Sequence, residues 1–104
     1  MVAHLALHRG LSPDAQREEI RGFVEGFLPE LRGMKGFLDA YVLEGDVMAI
    51  FTLWESAEAQ EAGGGRVRPA IEQLVARRKI APPDTYVFEV AEHASEGASA
   101  TVRR

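Results

Sequence analysis

The stretch "DVMAIFTLWESAEA", Asp46 to Ala59, changes character halfway along. Its first part has a two-residue repeat. Val47, Ala49, Phe51 and Leu53 fall on one side, and Met48, Ile50, Thr52 and Trp54 on the other. Both sides are mainly apolar, which marks a strand with both faces covered. The last part opens a helix, with Ser56 placed to accept a hydrogen bond from its first turn. The chain's single tryptophan stands at the junction. An indole there can anchor the helix that follows, its N–H reaching a carbonyl, or it can wall a site.

The elements on either side follow from that strand. "EGD" at Glu44–Asp46 is a turn, so "GFLDAYVL" before it is the partner strand of a hairpin. Val2 to Arg9 alternates loosely and reads as an earlier strand. Between them "LSPDAQREE" opens a helix: Ser12 is the N-cap, Pro13 suits the first position, and Asp14, Glu18 and Glu19 lie in the first turns. Ile20, Phe23, Val24, Phe27, Leu28 and Leu31 continue it along one face. Pro29 weakens the last turn and Gly33 ends it. Downstream, "SAEAQEA" is expected to be a short helix broken by "GGG" at Gly63–Gly65, a joint able to gate a pocket. "RPAIEQLVARRKI" is expected to be a second, amphipathic helix, with Ile71, Leu74 and Val75 on one face. Pro82 and Pro83 stop it, and "TYVFEVAEH" is the last strand.

The order is β-α-β-β-α-α-β. It folds as an α+β, ferredoxin-like domain: a four-stranded antiparallel sheet with helices on one face, over residues 1–93. Residues 94–104 are small, polar and unpatterned, and are expected to form a disordered tail.

Composition excludes several classes of function. With no cysteine, disulfides, thiolate metal sites and cysteine nucleophiles are out. A net charge of -4 argues against a nucleic-acid partner, since the one basic run, "ARRK" at Ala76–Lys79, suits the end of a helix. "MVAHLALHRG" is too polar and short for a signal peptide, and no apolar run reaches membrane-spanning length. A cytoplasmic protein without a membrane partner is expected. His4 and His8 share a strand face but lie about 13 Å apart, too far to ligate one metal, so no metal site is expected.

Four strands span roughly 19 Å, which two helices about 9 Å apart cover on one face only. The second face should then be polar, yet here it is apolar. A second copy of the chain, packed sheet against sheet, is the expected cover.

"MKGFLDAYVL", "AIFTLWESAEAQEA" and "DTYVFEVAEH" together resemble the antibiotic biosynthesis monooxygenase-like family, the small dimeric α+β barrels. The likeness runs from about Val2 to His93. It is sharpest at Gly36-Phe37, which opens the second strand, and at Trp54-Glu55-Ser56, which closes the third. The resemblance implies a homodimer with a pocket in each subunit between sheet and helices. The family that the chain resembles mixes cofactor-free oxygenases of polycyclic phenols, haem-degrading enzymes and many members of unknown role. Family members often carry Asn-Arg at the end of the first strand, where this chain has His8-Arg9. Haem-degrading members use a Trp on the helix after the third strand, at about Gly63 here, and a His further along. This chain has no histidine between Arg9 and Glu92, so no haem or other cofactor is expected.

The expected reading is a cofactor-independent monooxygenase of a polycyclic phenol. His8 would be the catalytic base, with small Ala6 beside it leaving room for the ligand. Phe23, Phe27, Ile50 and Trp54 would be the pocket walls. A non-catalytic dimeric barrel binding a small hydrophobic molecule fits the same residues, and so does a dimerisation module with a filled core.

Overall fold

A computed structural model describes residues 1–94. The expectation of a disordered tail therefore falls outside the described residues, apart from its first residue. The elements are β1 (Val2–His8), α1 (Pro13–Gly26), α2 (Leu28–Arg32), β2 (Phe37–Leu43), β3 (Met48–Trp54), α3 (Ala57–Arg78) and β4 (Asp84–Glu89). The sheet order is β2-β3-β1-β4 and every neighbouring pair is antiparallel, giving the ferredoxin-like arrangement.

Capping matches the sequence at both long helices. Ser12 accepts from the Ala15 N–H at 3.1 Å, and Ser56 accepts from the Ala59 N–H at 3.1 Å. The first helical segment is cut in two, however. Phe27 closes α1 with its N–H on the Phe23 carbonyl, and a short α2 with Pro29 in its first turn carries Leu31 into the core.

The second crossover differs more. One 22-residue helix, α3, runs straight through Gly63–Gly65 and Pro69. No joint exists there, so the gating role expected of the glycines is corrected. Glycine costs about 1 kcal/mol and proline about 3 kcal/mol inside a helix. Tertiary packing offsets this, because Gln60, Gly63 and Leu74 are buried along α3. The helix ends on Lys79 in the left-handed region (φ 57°), and the N–H groups of Lys79 and Ile80 both close on the Val75 carbonyl.

The inner face of the sheet carries His4, Ala6 and His8 of β1 opposite Thr52, Ile50 and Met48 of β3. It holds two core clusters. One is Leu11, Ala15, Met48 and Leu74, and the other is Phe23, Leu31 and Trp54; Ile50 packs against both. Simple alternation puts Phe37 with Tyr41 on the outer face. A register shift between Phe37 and Asp39 turns it inward instead, edge-on to Trp54 at 5.3 Å.

Among the described residues, nothing covers the outer face. Tyr41, Leu43, Tyr86 and Phe88 are exposed there, and Leu5, Leu7, Phe51 and Leu53 are half-buried between them.

Candidate functional site

Gly36-Phe37 and Trp54-Glu55-Ser56 meet in space at one junction. Gly36 has φ +86°, and a Cβ there would stand 2.5 Å from the Ala59 Cβ, so the position requires glycine. Its carbonyl accepts from the Glu55 N–H at 2.8 Å. Phe37 meets the Trp54 ring, and Ser56 starts α3.

Trp54 is buried, and its Nε1 donates to Thr52 Oγ1 at 2.9 Å. Its six-membered ring lies on bare helix: a Cβ at Gly63 would be 2.2 Å from Cη2. The first glycine of "GGG" is therefore a seat for the indole.

That seating leaves a cavity of about 480 Å³ between α3 and the inner face. Its floor is His4 and Ala6 of β1, Thr52 and Trp54 of β3, and Thr85 and Val87 of β4. Phe23 of α1 and Leu31 of α2 close one side. The roof is α3, through Gln60, Gly63, Gly64, Val67, Arg68 and Ile71. These roof positions follow the i, i+3, i+4, i+7 rule, a signal visible in the sequence once the helix is read as continuous. Trp54 is thus both the anchor of the junction and a wall of the cavity.

Of the residues expected at a pocket, the structure brings together Ala6, Phe23 and Trp54. Phe27 lies outside, stacked on Phe23 at 6.4 Å beyond the end of α1. Ile50 lies beneath the meeting point of the two clusters, where the helices close on the sheet. His8, the expected base, is completely buried and does not line the cavity. Neither of its ring nitrogens has a hydrogen-bond partner among the described residues. Burial pushes its pKa down, partly opposed by the nearby Glu19 carboxylate. Glu19 itself is held by Arg77 and Arg78, at 2.7 and 2.8 Å.

His4, weighed from the sequence only as a metal ligand, is the imidazole on the cavity floor. It is half-buried, and desolvation lowers its pKa from 6.5, so the ring is neutral near pH 7. Period-two alternation puts His4 and His8 on one face; it does not say where along the strand the roof lifts off. Among the described residues no three potential metal ligands cluster, and no helix is long and apolar enough to cross a membrane.

No protein-family profile and no curated protein matches the chain. Solved structures do. A candidate antibiotic biosynthesis monooxygenase from Deinococcus radiodurans superposes with a TM-score of 0.69 at 17% identity, covering 90% of this chain and 95% of that one. A Streptomyces coelicolor monooxygenase in complex with nanaomycin D gives 0.67 at 20% identity, covering 90% and 89%. A haem degrader from Mycobacterium tuberculosis, with two haems in its active site, gives 0.62 at 23% identity, covering 90% and 98%. The chain therefore has the antibiotic biosynthesis monooxygenase-like fold.

Proposed function

From that shared fold and its cavity, we propose that the chain binds a flat hydroxylated aromatic molecule between α3 and the sheet and oxygenates it without a cofactor. The observation that carries this is a neutral His4 on the floor of an aromatic and aliphatic cavity. The imidazole accepts the phenolic proton of the substrate. The resulting anion passes electrons to O₂. With an anthrone, one oxygen atom replaces the two hydrogens of the reacting CH₂ group as a carbonyl. The other oxygen leaves with those hydrogens as water.

The residues present do not fit the haem arrangement that the resemblance implies. α3 carries no histidine, and the position expected to hold a second Trp is Gly63, where Trp54 leaves no room for a side chain. No step is routed through haem.

A second reading is a non-catalytic binder of a small hydrophobic molecule. Thr85 and Val87 are exposed at the cavity mouth, which favours this reading by leaving the site open to water. Oxygen uptake with a panel of anthrones, under chelation and without flavin, separates the two. The enzyme reading expects consumption above the buffer rate and at least a tenfold loss in His4→Ala with the fold retained. Binding without uptake leaves the binder, and His4→Ala at the wild-type rate removes the mechanism.

We further propose a homodimer closed by the outer sheet face, whose Tyr41, Leu43, Phe51, Tyr86 and Phe88 form an apolar surface unusual for a monomer. Light scattering should give twice the 11.4 kDa chain mass, and Phe51→Glu should halve it. A native mass of 11.4 kDa refutes the dimer.

A further inference from the structure

α3 carries arginines at 66, 68, 77 and 78. Three of them hold carboxylates: Arg66 pairs with Glu30, Arg77 with Glu19, and Arg78 with Glu18 and Glu19. Arg68 differs from them in two respects. It is the one of the four that lines the cavity, and no carboxylate lies within ion-pair distance of it among the described residues. Glu72 stands four residues on, at the spacing of an intrahelical pair, yet makes none. Glu61, the acidic residue of the lining, is seven residues back on the same helix, about 10 Å along its axis.

The cavity consequently has an apolar interior, formed by Phe23, Leu31, Trp54, Val67 and Ile71, and a free cation at its exposed rim. We propose that its ligand is an aromatic carboxylic acid, with the ring system under α3 and the carboxylate on the Arg68 guanidinium. A guanidinium offers a planar pair of donors that matches a carboxylate in a way that a hydroxyl or amide does not. Thr85, exposed on β4, contributes a hydroxyl to the same cavity lining. Arg68 is a specificity residue here and takes no part in proton transfer. This assignment rests on the reading that the cavity binds a flat aromatic molecule.

The test compares anthracene-2-carboxylate with its neutral isostere, anthracene-2-carboxamide, by quenching of Trp54 fluorescence. The wild type should bind the acid about fivefold more tightly, as expected of an ion pair at a partly exposed rim. Arg68→Gln should abolish that preference by weakening the acid and leaving the amide unchanged. Arg66→Gln, which removes the same charge two residues earlier on another side of α3, should leave both affinities as they were. Equal binding of acid and amide to the wild type overturns the assignment. So does an equal loss of both ligands in Arg68→Gln, or a loss of acid binding in Arg66→Gln as large as that in Arg68→Gln. In each of those cases amide binding still stands, and with it the cavity reading. If neither compound binds, both fall together.

Discussion

The two ends of the inner sheet face are built from the same three layers and come out differently. At the end near His8, Leu11, Ala15, Met48 and Leu74 pack together between sheet and helices, and the cavity does not extend to His8. At the end near His4, a large rigid indole stands against a helix stripped to glycine, and a cavity remains beside it. One strand carries a histidine into each end. His8 is sealed in with both nitrogens unpartnered, whereas His4 faces open space. The contrast shows that packing, rather than residue type, decides which histidine faces the cavity.

The largest effect that would break this contrast is Trp54→Ala. It removes the anchor of the junction and the wall of the cavity at once, and should cost about 4 kcal/mol in urea unfolding. A loss below about 1 kcal/mol would mean that the indole is not structural. Next comes Gly63→Ala, which drives a methyl group into the Trp54 ring. Helix propensity favours alanine by about 1 kcal/mol, but the collision should win and leave a net loss of about 2 kcal/mol. Unchanged stability would show that the ring can move aside.

The third effect is pH dependence. His8 has a folded pKa below its ordinary 6.5, so the unfolded chain takes up its proton more readily. The His8 contribution is complete above pH 6.5 and is lost as the pH falls below it, by at most about 1.4 kcal/mol per pH unit. His4 acts in the same direction. Glu19 does not intrude between pH 7.5 and 5.5. Burial opposes its charge, but Arg77 and Arg78 outweigh that and hold its carboxyl below 4.5. His8→Leu should therefore flatten the stability profile over this window, which denaturant midpoints at the two pH values would show. A profile as steep as wild type would place the titration elsewhere. The smallest effect is Gly65→Ala. An added methyl group meets nothing within 4 Å there, so the substitution should stabilise by about 0.5–1 kcal/mol, opposite in sign to Gly63→Ala two residues earlier.

Much of this architecture was legible in the sequence because local signals agreed with the tertiary result. Ser12 and Ser56 mark helix starts by capping them, and Pro13 does so by its fixed φ at the first helical position. Ala6, Phe23 and Trp54, which strand and helix periodicity put on the inner side, lie along the cavity. What failed did so where a contact distant in sequence overrides a local preference. "GGG" reads as a break until the Trp54 ring is seen to need it. Phe37 reads as outward until the register shift turns it. Gln16 carries no sequence signal, yet its side chain is buried and exchanges hydrogen bonds with the Gly45 backbone across the core, at 2.8 and 3.1 Å.

β4 has a consequence of its own. It pairs with β1 alone, all six of its residues are exposed, and its contacts join the two ends of the domain, as Val2 opposite Glu89 shows. Closing a loop of that length is slow and is rewarded late. β4 should therefore be the last strand to dock and the first to fray, its amides exchanging with solvent through local opening while β3, paired on both sides, exchanges through global unfolding. A strand that spends time detached with Tyr86, Val87 and Phe88 in a row is also a template for unwanted pairing. Pro82 and Pro83 before it, and the acids Asp84 and Glu89 at its two ends, are of the residue types that disfavour such pairing, so replacing them should raise aggregation during refolding.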